Sequence, residues 1–223
     1  MRDYRDQFQE DPNFQDYRAS GCTLKIANLN EICALQPVVH LDYLHRSNRF
    51  TELIRRARKD DMLSLAKITL PLPAPVELPL HFDPATNAWT LRSISPNIRI
   101  VGHFSTRIEL SPGFFAMGYG FCVRLVPSIV QVVLYRGRYF LKDGHHRALA
   151  LLERGITRVP VVVQELSRAE KLEVEGRFPD KTLLGPHPPL LSDYLRDDVA
   201  AACFNRAAEK TIAIQAAEEL KWG

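Results

Sequence analysis

The stretch from Val130 to Glu165 constrains the fold more than any other part of the chain. Apolar residues alternate with other residues at its start, which predicts a mostly buried strand. A short Arg136-Gly137 turn follows, and apolar residues later recur at helical spacing before Gly155, a typical helix C-cap residue. The predicted elements are a strand over 130–135, a return strand over 138–142, a helix over 145–154 and a last strand over 158–165.

The turn that precedes the predicted helix is the best candidate for a chemical site. A helix start leaves backbone N–H groups without intrahelical partners, and its dipole favours negative charge. Gly144 allows a positive φ and a close approach of the backbone to a ligand, and Arg147 can add a bidentate clamp. The pattern predicts an anion site. The alternative is a purely structural turn, in which Asp143 caps the helix while His145, His146 and Arg147 are solvated.

The segment LKDGHHRALALLERGITRVPVVV resembles the signature of the ParB/sulfiredoxin-like superfamily. In that superfamily a G-x-x-R motif opens a helix, an Ala-rich turn follows, and a glycine leads into a V-P-V strand. The matching residues are Gly144, Arg147, Ala148, Ala150, Gly155, Val159, Pro160 and Val161. The resemblance covers about 129–164. It implies an α+β fold with a ParB/sulfiredoxin-like mixed-sheet core, to which a strand-rich insertion and a C-terminal extension are added.

The branches of the superfamily differ inside this motif. Sulfiredoxin has a catalytic cysteine where this chain has His145, so reduction of sulfinic acids is not expected. Chromosome-partition ParB proteins, which bind CTP, have an acidic residue and two arginines after the glycine, and here only Arg147 remains. The free serine kinases have D-G-H-x-R, which matches Asp143 to Arg147 best. The resemblance implies that Asp143, Gly144, His145, His146 and Arg147 bind nucleotide phosphates.

An earlier stretch, 38–49, is similar to the strand and Asn-rich bend that open ParB-like domains. If the match holds, Asp42, Asn48 and Arg49 lie near the nucleotide. The alternative is an ordinary exit from a strand into a loop.

Charge and cysteine content narrow the class of protein. The net charge of the 223 residues is +3, and the Lys and Arg residues are scattered, so a nucleic-acid partner is not favoured. The four cysteines have neither CxxC nor zinc-site spacing, which predicts reduced thiols in a cytoplasmic protein. No apolar run approaches the roughly 20 residues of a membrane span, so no membrane partner is expected.

The predicted organisation is a mobile N-terminal arm, 1–21, followed by a single domain, 22–223. The alternative for the arm is that its aromatic residues dock on the body or on a second subunit of a homodimer. Within the domain we expect two helices over 50–67, an insertion over about 68–110 and an extension over about 167–223. The prolines of the insertion favour edge strands, and it can shape either a substrate pocket or an oligomer interface. We also expect a hairpin at 78–93, a distorted buried helix over 111–127, further helices at 190–202 and 204–210, and a last strand at 211–215.

Three functions follow from these observations. The first is a phosphotransferase that uses ATP or another nucleotide and Mg²⁺ to modify a small hydroxyl compound. In it Asp143 binds the metal, and His145 and Asp42 are the candidate acid–base residues. The second is a non-catalytic nucleotide-binding module or switch in a DNA-maintenance system. The third is an interaction protein that retains the motif only as part of its fold.

Overall fold

The structure is a computed structural model that describes residues 2–39, 49–72, 79–93, 97–125, 128–167, 172, 176–203 and 210–215. The chain divides into two compact units. One, the sheet unit, comprises Met1–Leu72 and Ser128–Cys203, and the other, the ribbon unit, comprises Pro73–Pro127 and Phe204–Gly223. Both helices and sheets are present, so the predicted α+β class is confirmed. No helix of the described residues is long and apolar enough to cross a membrane.

The sheet unit is built on a five-stranded sheet in the order β1-β9-β7-β8-β2. Its strands are β1 Thr23–Asn28, β2 Ile32–Ala34, β7 Gln131–Tyr135, β8 Arg138–Asp143 and β9 Arg158–Glu165. β7 pairs antiparallel with β8 and parallel with β9, and β9 pairs antiparallel with β1. β2 adds to the far edge of β8 in parallel. The order of strand, turn, strand, helix and strand predicted for 130–165 is therefore confirmed.

Helices surround this sheet. They are α1 Arg2–Glu10, α2 Pro12–Ala19, α3 Arg49–Arg56, α4 Met62–Thr69, α5 His145–Glu153 and α6 Asp180–Leu183. The break predicted within 50–67 is present between α3 and α4, where Asp61 caps α4 by accepting a hydrogen bond from the backbone N–H of Ser64. Short 3₁₀ helices cover Leu29–Glu31 and Leu191–Leu195, so the predicted helix at 190–202 is limited to its first part.

The central strands are apolar on both faces because both faces are covered. On one face Val161 and Val163 of β9 pack with Leu65 of α4 and Leu151 of α5. On the other face Val162 packs against the aromatic residues of α1 and α2. Ala148, Ala150, Leu151 and Leu152 of α5 belong to the same core cluster as Val161, which holds the helix in place.

The N-terminal residues differ from the expected mobile arm. They form α1 and α2, whose Phe8 and Phe14 are buried with ring centroids 4.8 Å apart. These rings pack against Leu70, Ile129 and Val162 of the body. The structure thus shows the alternative in which the aromatic residues dock on the body.

The ribbon unit contains two sheets. β3 Leu80–Asp83, β4 Ala88–Ser93 and β10 Lys210–Gln215 form an antiparallel sheet in the order β10-β4-β3. β5 Ile98–Ser111 and β6 Phe114–Leu125 form a two-stranded ribbon. The predicted hairpin and final strand are confirmed as β3–β4 and β10, and the inserted unit extends to Pro127 rather than to about residue 110.

The buried helix predicted over 111–127 is wrong. Ser111-Pro112-Gly113 is the turn of the ribbon, with Gly113 at φ +79°, and not the start of a helix. Gly118 and Gly120 alternate with large side chains after it, which is the two-residue period of a strand. Glycine at both positions also disfavours a helix.

Candidate functional site

The β8–α5 turn strongly favours glycine at position 144. Gly144 precedes α5 with φ +83°. A Cβ atom there would lie 2.6 Å from the carbonyl oxygen of Ile129 and 2.7 Å from the Cα atom of Val130, so the turn is seated directly on the chain entering β7. The first intrahelical bond runs from the N–H of Ala148 to the carbonyl of Gly144, at 3.0 Å.

Asp143 stabilises this turn through hydrogen bonds at the protein surface. Its Oδ1 accepts a hydrogen bond of 2.7 Å from the backbone N–H of Gly144 and one of 3.1 Å from the hydroxyl of Ser128. The side chain itself is exposed. The carboxylate therefore joins the two segments that meet at the turn and remains on the surface.

His145, the first residue of α5, is buried, with 7% of its surface exposed. Burial, and to a smaller extent the neighbouring His146, lowers the pKa of the His145 imidazole from 6.5 to about 4. Within the described residues, no hydrogen-bond partner reaches its buried Nε2. The ring is therefore neutral at physiological pH. His146 is half-buried.

Arg147 makes a different contact from the expected outward clamp. Its Nη1 donates a hydrogen bond of 2.7 Å to the carbonyl oxygen of Ile68, in the last turn of α4. Cations favour helix C-termini, where carbonyl groups lack intrahelical partners, so this bond ties α5 to the end of α4. Burial lowers the pKa of the guanidinium to about 10, and the charges of Asp143 and Tyr4 offset only part of that shift.

Tyr4 brings the N-terminal helix to the same place. Its hydroxyl donates a hydrogen bond of 2.8 Å to the carbonyl of Leu70, and burial raises its pKa while Arg147 acts in the opposite direction. Tyr4 is thus a residue of the site that the sequence did not indicate. The only signal was an aromatic side chain in a polar segment.

The predicted site residues have three outcomes. Asp143, Gly144, His145, His146 and Arg147 lie together in one turn and the first turn of α5. Asp42 and Asn48 lie outside the described residues. Arg49 begins α3, and the description of the structure does not extend to its side chain.

A cleft adjoins Tyr4. A mainly apolar cleft of about 180 Å³ lies between α1, β1 and α4, and Tyr4 and Leu70 line it. Small-molecule sites span roughly 300–1,000 Å³, so this cleft is too small to enclose a nucleotide. No group of three His, Cys, Asp or Glu side chains that could hold a metal ion occurs in the described part of the chain.

The chain was compared with protein-family models, with curated proteins and with solved structures, and none of them matched.

Proposed function

We propose that this chain is a nucleotide-binding protein of ParB/sulfiredoxin-like type, with phosphate oxygens bound at the β8–α5 turn. The observation that carries the proposal is the position of Arg147, a guanidinium in the first turn of α5, directly after the Gly144 turn. A phosphate bound at this turn would lie beside that guanidinium and at the positive end of the helix dipole.

The hydrogen bond between Arg147 and Ile68 determines how a phosphate can reach the guanidinium. A guanidinium has five N–H donors in a planar fork, and the bond to the Ile68 carbonyl uses Nη1. Hydrogen bonds between a cation and an anion are about twice as strong as neutral ones. An incoming phosphate can therefore compete with this carbonyl for the guanidinium.

A thermal-shift screen with ATP, ADP, CTP and GTP in the presence of Mg²⁺ tests the proposal. A nucleotide present at a hundred times its dissociation constant should stabilise the wild type by about 2.7 kcal/mol. Arg147→Ala should abolish this stabilisation. Arg138→Ala is the matched control, since Arg138 also donates to backbone carbonyls, those of Leu183 and Gly185, but lies away from the turn.

Two results would contradict the proposal. One is a wild type that no nucleotide stabilises, and the other is an Arg147→Ala variant with an unchanged shift. In the second case Arg147 would be only the tie between α5 and α4.

Turnover is a second candidate function, and His145 favours it. Its neutral imidazole has a buried Nε2 without a partner in the described residues, and a phosphate beside it would raise its pKa toward the range useful for proton transfer. The reaction would be transfer of a phosphoryl group from ATP to a small hydroxyl compound, with Asp42 as a second candidate base. Mg²⁺ in such sites is held by one or two carboxylates together with the nucleotide phosphates, and Asp143 fits that role.

Assays of ADP and phosphoserine from ATP and free serine distinguish the two candidates. A kinase should form both products, and His145→Gln should lose them while the nucleotide-induced thermal shift remains. Binding without product formation from serine or other small alcohols favours a non-catalytic nucleotide-binding module or switch of the kind found in DNA maintenance.

A further inference from the structure

The cleft between α1, β1 and α4 is a feature of the sheet unit to which nucleotide binding gives no role. Its volume is about 180 Å³. A cavity of ~150 Å³ lined by leucine, isoleucine and phenylalanine is large enough to bind benzene. The cleft therefore has room for an apolar group of about six carbon atoms.

Most of the residues that line the cleft are apolar. They include Phe8 of α1, Leu24 and Ile26 of β1, Leu70 after α4, and Pro160 of β9. Phe8 and Leu70 are buried in the core cluster that joins α1 and α2 to the sheet, and Leu24 packs against that cluster. The wall of the cleft is thus set by the core of the sheet unit, and its formation does not require a ligand.

A hydrogen bond joins two sides of the cleft. Tyr4 lines it from α1, and the Tyr4 hydroxyl donates a bond of 2.8 Å to the carbonyl of Leu70, which also lines it. The bond holds α1 against the chain that leaves α4. A ligand therefore meets walls that are already in place, which lowers the entropy cost of binding.

The charged residues that line the cleft are all cationic. Arg5 of α1 and Lys25 of β1 are two of its nine lining residues, and none of the nine is acidic. Both residues are exposed. Long cationic side chains bury their apolar stems and keep their charged ends in water, so we expect the two charges at the mouth of the cleft. The mouth thus favours an anionic group.

Asp6 contacts one of these cations but does not line the cleft. Its Oδ1 lies 3.2 Å from Nε of Arg5, and the two side chains are 53% and 54% exposed. Exposed ion pairs of this kind contribute little free energy, because water and salt screen them. A carboxylate held at the mouth of the cleft can therefore replace Asp6 as the partner of Arg5.

We propose that the cleft binds a small monocarboxylate. Its apolar body fills the cleft, and its carboxylate lies at the mouth beside Arg5 and Lys25. An inorganic anion would leave the apolar wall uncovered, and the two cations would repel an amine. The proposal does not rest on nucleotide binding, since the ligand carries no phosphate.

Titration of the ¹⁵N-labelled full chain with sodium hexanoate, hexanol and sodium acetate at constant ionic strength tests the inference. Hexanoate should shift the amide resonances of residues 4–8 and 24–26 to saturation. It should bind about fivefold more tightly than hexanol, since an ion pair in water changes affinity by about that factor. Acetate lacks the apolar body and should give no saturable shift.

Variants separate the two parts of the site. Arg5→Gln and Lys25→Gln should each weaken the binding of hexanoate and leave that of hexanol unchanged. Lys181→Gln is the matched control, because it removes an exposed cation of α6 in the same unit and should change neither affinity. Ile26→Trp enlarges a lining residue that is 45% exposed, so it should weaken both ligands. Circular dichroism verifies that all variants fold.

Four results would overturn the inference. The first is a wild type without saturable shifts in hexanoate, and the second is hexanol that binds as tightly as hexanoate. The third is a hexanoate affinity that both glutamine variants leave unchanged. The fourth is a shift confined to residues 143–147, which would place the carboxylate at the β8–α5 turn instead.

Discussion

Gly144 couples the geometry of the candidate site to the stability of the fold. We predict that Gly144→Ala destabilises the protein by about 2–4 kcal/mol. One part is the cost of a left-handed backbone for an L-residue, about 1–2 kcal/mol. The other is the collision of Cβ with backbone atoms of Ile129 and Val130, which cannot move as a side chain end can. Urea unfolding measures the sum.

Gly137 provides the matched control for this prediction. It has a similar φ, +76°, but no atom lies within 4 Å of its Cβ position. Gly137→Ala should therefore show only the conformational cost of about 1 kcal/mol. Equal losses in the two variants would mean that the turn is not seated tightly on the start of β7.

His145 makes stability depend on pH. Its pKa is about 4 in the folded protein and 6.5 in a model peptide, so as pH falls the unfolded chain takes up the proton first. The contribution of this residue to stability is therefore complete above about pH 6.5 and is lost as pH falls toward 4. The shift corresponds to on the order of 3 kcal/mol.

The measurement is urea unfolding of wild type and His145→Gln at pH 7, 6, 5 and 4. The wild type should lose more stability over this range than the variant does. His81→Gln, on exposed strand β3, controls for the removal of one histidine from the chain. Parallel pH profiles for wild type and His145→Gln would show that the imidazole accepts a proton in the folded state as easily as in the unfolded chain.

Sequence indicated which residues meet at the turn but not what Arg147 contacts. Asp143 to Arg147 are consecutive, so a turn followed by a helix necessarily brings them together. The partner of Arg147 is a backbone carbonyl 79 positions away in the chain. Every residue has such a carbonyl, and therefore no side-chain pattern marks Ile68.

At the scale of helices and strands, the most reliable predictions were those that rested on local sequence patterns. β7, β8, α5 and β9 follow one another through short turns, and their apolar periods change from two to 3.6 and back. The same two-residue period indicates a strand at β6, since large residues alternate with Gly118 and Gly120. The Ser-Pro-Gly sequence that precedes it also fits a helix start, and the prediction of a helix gave that signal too much weight.

The helices α1 and α2 show the limit of local patterns. Their sequence is polar, and a polar terminal segment by itself favours disorder. Phe8 and Phe14 order it by packing against Leu70, Ile129 and Val162, which come from three distant parts of the chain. Such a cluster is not visible until the sheet has brought those parts together.

At the scale of the whole molecule, the chain leaves and re-enters the sheet unit at neighbouring points. The backbone N–H of Val130 donates a hydrogen bond of 2.7 Å to the carbonyl of Thr69. The boundaries at Leu72 and Ser128 are only a few residues from this bond. The inserted residues between them can therefore be bypassed by a short connection.

We predict that a shortened chain folds as the sheet unit. In this chain a flexible linker of about five residues replaces Pro73–Pro127, and the last residue is Cys203. Its buried core comes from strands β1, β2, β7, β8 and β9 with their helices, all of which the shortened chain retains. Cooperative thermal unfolding and dispersed amide resonances measure the outcome.

A control deletion that begins at Met62 instead of Pro73 also removes α4. It takes Leu65 and Ile68 out of the core, where their exposed fractions are 0% and 1%, and removes the carbonyl that Arg147 contacts. Core truncations of this kind cost several kcal/mol each, a large share of the 5–15 kcal/mol that holds a domain folded. The shorter deletion should fold and the longer one should not. If neither chain unfolds cooperatively, the sheet unit needs the ribbon unit for its stability.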